Sequence, residues 1–293
     1  MRNMLKVQLI QMFHKKGFQL SFAVMMIYVL YSYLYHVFKY KNYELSEMIT
    51  AEALFSLHAT TDTYYYFALI FPFIVAFPFA FSFLTDKQIK IQPILQVKSG
   101  VKNYYVTKTI ACFIGGFLII FIPLIVSLAL TKLTFPTSGL TAYDSWYELN
   151  FFMRMSGDYS ELSSLYPAEE LATQVGVPFA WLYLYSPVLY NFFYACIASL
   201  FAGFASVFIF STSFYVNRFK ILILVPFYVF LVILDKLNNI LSEANILITT
   251  SAIQYISADA GGFLYSFVIW LIVLFLALFS FLSISRQIRI DQL

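Results

Sequence analysis

Long apolar runs alternate with polar loops along this chain, and successive loops alternate in the sign of their charge. A bilayer core of about 30 Å takes roughly 20 apolar residues in a helix. Six runs meet or approach that length: 21–38, 65–84, 109–130, 187–210, 221–234 and 263–283. The fifth is the shortest, and at about 1.5 Å per residue it rises only about 21 Å. Either Lys220 and Lys236 snorkel at its two ends, or its helix continues past Asp235 in a protein-lined setting. The pattern predicts an all-α polytopic membrane protein, residues 1–293 forming one transmembrane domain with six spans.

The pieces around the spans have patterns of their own. Leu5, Leu9, Met12 and Phe13 share one helical face and Gln8, Gln11 and Lys15 another, which predicts an interfacial helix over 4–20 with Gly17 as its joint to the first span. Residues 238–257 begin polar and turn apolar at Ile246, Leu247 and Ile248. That stretch is too short to cross, and it predicts a re-entrant or interfacial hairpin on the outer face before the last span. The longest polar stretch, 132–186, is broken by Pro136, Gly139, Gly157, Pro167 and Pro178 and predicts an external cap, with a further short helix at Glu44–Leu57. Pro72 and Pro78 interrupt the second span, Pro123 the third and Pro226 the fifth, each removing a helical hydrogen bond.

Charge gives the orientation. The loop 85–108 carries Lys87, Lys90, Lys98, Lys102 and Lys108 against Asp86 alone. The loop 132–186 carries Asp144, Glu148, Asp158, Glu161, Glu169 and Glu170 against Lys132 and Arg154. Short loops rich in lysine and arginine stay in the cytoplasm. With both termini cytoplasmic, the inner segments hold Arg2, Lys6, Lys15, Lys16, the five lysines of 85–108, Arg218, Lys220, Arg286 and Arg289, against only Asp86 and Asp291. The first apolar run is too long for a signal-peptide core and no small-residue cleavage site follows it, so it reads as a retained span.

Composition agrees with membrane insertion. The chain is 61% hydrophobic and 11% charged, with 34 Phe and 23 Tyr; a soluble domain is about 45–50% apolar and about 25% charged. No basic run interleaved with aromatics points to nucleic acid. Cys112 and Cys196 fall within spans and read as small buried hydrophobes rather than a disulfide.

Catalytic patterns are absent. There is no G-x-x-x-x-G-K-[ST] phosphate loop, no H-E-x-x-H and no G-x-S-x-G. His14, His36 and His58 are far apart, and the pair Glu169–Glu170 follows Pro167 as the acidic first turn of a solvated helix. No catalytic or metal-ligating residue is assigned. No span interior carries an ionisable side chain, which argues against an ion-coupled carrier. Ala195, Ser199 and Gly203 recur every four residues in the fourth span, a spacing for close helix packing, with Gly115–Gly116 as a counterpart in the third. If such a chain moves a solute uphill, the energy comes from a partner.

The segment Thr85–Lys108, TDKQIKIQPILQVKSGVKNYYVTK, carries a more specific signal. It opens on the acid–base pair Asp86–Lys87, continues through Ser99–Gly100 and Lys102, and closes on Tyr104, Tyr105 and Lys108. With the topology of the whole chain, it resembles the permease subunit of a type-2 ABC exporter (ABC-2 type). Lys90 departs from that pattern, near where a glycine is common. The resemblance implies that this loop holds a coupling helix docking into a groove of an ATPase subunit, with Ile91, Ile94 and Leu95 as an apolar ridge flanked by charges. It further implies two permease subunits, identical or different, paired with two ATPase subunits that bind ATP and magnesium, this chain holding no cofactor. The setting would be the plasma membrane of a bacterium. The aromatic, uncharged interior suits a hydrophobic or amphipathic cargo: a lipid, a drug or an antimicrobial peptide. Three alternatives stand beside it. The lysines of 85–108 serve only topology; the chain is a non-transporting immunity or sensor protein binding cationic membrane-active peptides at its acidic outer loops; or it is a polytopic membrane enzyme, which would need paired polar groups at one depth.

Overall fold

The computed structural model describes residues 2–43, 50–52, 54–57, 63–136, 182, 185–216, 219–243 and 263–292. Nine α-helices carry these residues: α1 (Arg2–His14), α2 (Lys16–Lys39), α3 (Tyr64–Ala76), α4 (Ser82–Gln88), α5 (Gln92–Ser99), α6 (Val101–Thr134), α7 (Pro187–Thr212), α8 (Val225–Glu243) and α9 (Phe263–Gln292). A 3-10 turn, Lys220–Ile223, precedes α8, and no strand occurs among the described residues. Four helices are long and apolar enough to cross a membrane: α2, α6, α7 and the Trp270–Gln292 part of α9. Residues 137–181 of the expected external loop and 244–257 of the expected re-entrant stretch lie outside the described residues.

α7 is the axis of the bundle. Its most apolar stretch is 67% buried, against 33%, 39% and 22% in α2, α6 and α9. It packs most extensively on α6, and then on α9 and α3. The seam with α6 depends on small residues. A Cβ placed on Gly116 would lie 2.7 Å from the Ala202 carbonyl oxygen and 2.8 Å from the Ser206 Cβ. One on Gly203 would meet the Phe113 ring at 2.8 Å. Ala195, Ser199 and Gly203 are all buried, and the Ser199 hydroxyl donates to the Ala195 carbonyl at 2.6 Å. In lipid, where apolar surface has no water to escape, such close backbone approach supplies the helix–helix contact.

The runs expected as second and fifth spans depart from simple rods. The run 65–84 is divided into α3 and α4 by turns at residues 77–81. Pro78 explains the break, because it lacks an N–H and restricts Phe77 before it. Non-helical backbone at that depth must be enclosed by protein or face water, and Pro78, Phe79 and Ala80 are buried. Where the fifth span was expected, α8 runs on past Asp235 to Glu243, but Asp235, Lys236 and Leu237 are exposed rather than lined by protein. Its 19 residues rise about 28 Å.

α1 differs from its expected form in two ways. The joint falls at Lys15, whose extended backbone ends α1, rather than at Gly17. Gly17 lies in the first turn of α2, where a Cβ would sit 2.3 Å from the Phe77 carbonyl oxygen, so glycine admits a backbone contact. The inward side of α1 is Gln8 and Met12, while Val7, Ile10 and Phe13 are exposed. Packing on α6 decides the face: Met12 fills the space that Gly115 leaves, 2.7 Å from where a Cβ would be.

At the opposite end, residues 50–52 and 54–57 fold back as turns rather than a helix. The Ala51 amide donates to the Pro136 carbonyl at 2.8 Å, the Asn191 amide side chain to the Glu52 carbonyl at 2.8 Å, and the Tyr28 hydroxyl to the Ser56 carbonyl at 2.9 Å. Residues 44–49 of the helix expected there lie outside the described residues.

Candidate functional site at the basic end of the bundle

α4, α5 and the first turns of α6 form a helical hairpin at the end of the bundle where the lysines gather. Its first bend is a Schellman closure: Ile91 N–H donates to the Asp86 carbonyl at 3.1 Å and Lys90 N–H to the Lys87 carbonyl at 3.2 Å. The residue at the turning position takes a left-handed conformation, usually as glycine; here it is Lys90, with φ 58°. Pro93 lies in the first turn of α5, and Gly100 at φ 79° turns the chain into α6.

Two polar clusters hold the hairpin. In the first, Lys108 Nζ lies 2.7 Å from Asp86 Oδ2, and the Tyr104 hydroxyl donates to the same oxygen at 2.9 Å. Lys108 and Tyr104 are almost wholly buried and Asp86 nearly so. The opening acid of the sequence pattern and its closing tyrosine and lysine therefore meet in space, as an internal clamp rather than as a docking surface. Lys108, expected in a loop, lies two turns inside α6. Its ammonium also sits 5.2 Å over the rings of Phe79 and Tyr104.

Lys15 approaches the same Phe79 ring at 4.7 Å. Burial pushes its ammonium down from 10.5 to about 8, and neighbouring Lys108 pushes the same way against Asp86. The Asp86 carboxylate thus acts on both ammonium groups but is bonded to that of Lys108.

The second cluster was not foreseen. Asp291, near the end of α9, accepts through Oδ2 from the Tyr105 hydroxyl at 2.5 Å and from the side-chain amides of Gln96 at 2.6 Å and Gln92 at 3.1 Å. Its Oδ1 accepts from Gln287 at 2.9 Å. The last helix is thereby tied to α5 and to the start of α6. The signal in the sequence was the i, i+4 pair Gln92 and Gln96, which shares one face of α5; Asp291 by itself registered only as a charge.

With one face of α5 bound to the bundle, its other face is free. Ile94 is 56% exposed and Val97 87% exposed, and Ile89 is exposed before them. Leu95 packs partly into the core and Ile91 is half-buried, so Ile94 alone of the expected ridge points outward, joined by Val97. Lys87, Lys98 and Lys102 are exposed around it, and Ser99 is half-buried with its hydroxyl donating to the Leu95 carbonyl at 2.7 Å. Among the described residues no three His, Cys, Asp or Glu side chains converge as metal ligands. Comparison of the chain with protein-family models, curated proteins and solved structures finds no match.

Proposed function

We propose that this chain is the membrane-spanning, non-catalytic subunit of an ATP-driven exporter of the type-2 ABC class, its basic end facing the cytoplasm. A separate ATPase subunit would dock on α5 and bind ATP with magnesium. The observation that carries this reading is the hairpin itself: a short helix braced on its inner face by Asp291 and presenting Ile94 and Val97 among lysines on its outer face. A braced helix transmits a push; a loop that served only to hold lysines inside the membrane would need neither the ion pair nor the amide–carboxylate cluster. Displacement of α5 would reach the transmembrane helices through Asp86–Lys108 into α6 and through Asp291 into α9. The exposed apolar faces of α8 and α9, which include Tyr228, Ile233, Trp270 and Phe281, suit lipid and a second permease subunit, identical or different. A hydrophobic or amphipathic cargo fits so aromatic a bundle.

The test is co-purification of the tagged chain from its membranes with mass spectrometry of its partners. The expected result is a phosphate-loop ATPase that is lost in Ile94→Asp and Val97→Asp variants while membrane insertion persists. Recovery of the chain alone, in repeated preparations and without ATPase activity, overturns the reading in favour of an immunity or sensor protein.

A further inference from the structure

A groove of about 600 Å³ opens between the joint of α1 and α2, the broken stretch 77–81 and the 3-10 turn before α8. Its volume falls within the range of small-molecule sites, about 300–1,000 Å³. Its floor and sides are apolar, from Phe73, Phe77, Phe81, Ile221 and Leu224. Phe73, Phe77 and Ile221 are exposed, so the groove is open towards the lipid side of the bundle. Its rim is cationic: Lys15, Lys16 and Lys220 all line it, and no acidic residue does. The Asp86 carboxylate, whose field reaches Lys15, is already bound to Lys108 at 2.7 Å. The first turn of α2 also opens here, at Lys16 and Gly17, with no side-chain cap on it, and a 24-residue helix presents partial positive charge at that end.

A cationic rim above an aromatic trough, at the interfacial end of a membrane bundle, is complementary to one kind of molecule. We propose that this groove holds an anionic phospholipid of the surrounding leaflet, its phosphate between Lys15, Lys16 and Lys220 and the start of one acyl chain along Phe73 and Phe77. The phosphate supplies the counter-charge that the protein lacks at this point, and the chain covers apolar surface that the broken helix leaves open. The site is a resident-lipid site set between the α1–α2 joint and the α3–α4 break. It does not depend on an ATPase partner, so the co-purification experiment and the lipid experiment can fail separately.

The test uses the full-length chain, delipidated in neutral detergent, with phosphatidylglycerol, phosphatidylcholine and inorganic phosphate as three separate probes. Binding is read by native mass spectrometry and by the shift in unfolding temperature. Phosphatidylglycerol is expected to bind at one molecule per chain and to raise the unfolding temperature, and neither other probe to do so. Replacing Lys15, Lys16 and Lys220 by glutamine should weaken binding roughly a hundredfold, taking roughly fivefold per lysine at a membrane surface. Lys220→Gln alone, at an exposed position, serves where the triple variant does not fold, and should weaken binding roughly fivefold. Replacing Lys87, Lys98 and Lys102 instead should leave it unchanged. Equal binding of phosphatidylcholine overturns the proposal, as does equal loss in the Lys87, Lys98 and Lys102 variant, which would mark general surface attraction. An equal effect of inorganic phosphate would reduce the site to an anion site without a lipid chain and overturns it too.

Discussion

The α6–α7 seam and the basic end are both tightly packed, yet they are held by opposite means. The seam is a matter of size: Gly116 meets the Ala202 carbonyl and Gly203 meets Phe113. The basic end is a matter of pairing: Asp86, Lys108 and Tyr104 satisfy one another in a buried place. A seam of the first kind accepts any residue that is small enough. A cluster of the second kind accepts the removal of both partners more readily than of one, because a single buried charge left alone carries its whole desolvation cost.

The largest expected effect tests that asymmetry. Asp86→Ala should destabilise the chain by about 3–5 kcal/mol, whereas the double variant Asp86→Leu with Lys108→Met should recover most of the loss. Unfolding midpoints in detergent measure both. A double variant as unstable as the single one would mean that the pair is held by its surroundings and not by its partner. Next in size is Gly116→Val in the seam, expected to cost about 1–3 kcal/mol through overpacking against a carbonyl that cannot move aside. Adding Ser206→Gly should relieve only the side-chain part, since the Ala202 oxygen stays at 2.7 Å.

The same contrast explains what was legible in the sequence. Small residues repeating every four positions along a helix are a local pattern, and Ala195, Ser199 and Gly203 are buried as that spacing implies. The spans of α2, α6, α7 and α9 followed equally from local apolar runs. Pairing between distant residues leaves no such trace. Asp291 and Gln96 are 195 positions apart and meet only because α9 runs past the membrane beside α5. The inward face of α1 left little trace for a related reason: Met12 and Leu9 of the apolar side pack on the core while Phe13 is exposed, and contact with Gly115 rather than spacing singles out Met12. The break at 77–81 was half-visible, since Pro78 announced a bend but not a full interruption.

Asp291 sharpens the comparison within the basic end. Asp291→Ala removes three acceptor contacts to the α5–α6 segment, and should cost about 1.5–3 kcal/mol, the range for a hydrogen bond to a charged group. Hydrogen exchange should rise in 92–99 and not in the α6–α7 seam; a uniform rise would deny α5 its brace. Lys15 adds a smaller, pH-dependent effect. Its folded-state value of about 8 lies below the ordinary 10.5, so the unfolded chain binds the extra proton between those limits. Stability from this residue is therefore lowest below pH 8 and rises towards pH 10.5. Lys15→Met should flatten that rise, and an unchanged pH profile would show that Lys15 is not desolvated beside Phe79, Lys108, Asp86, Cys112 and Lys220.

The smallest effect separates a third means of holding the chain from the other two. Lys90 occupies the turning position of the Schellman closure at φ 58°, so neither its size nor a partner but its backbone is what the fold constrains. A side chain in that region costs roughly 1–2 kcal/mol, and glycine gives back part of this gain by loosening the unfolded chain by about 0.4–1 kcal/mol. Lys90→Gly should therefore stabilise by up to about 1 kcal/mol, while Lys90→Ala keeps the strained backbone and should give no gain. The order Gly above Ala is the outcome that matters, because loss of the lysine charge is common to both. If the two variants unfold at the same denaturant concentration, the bend between α4 and α5 is held by its hydrogen bonds, such as that from Ile91 to Asp86, and not by the backbone preference of the turning residue.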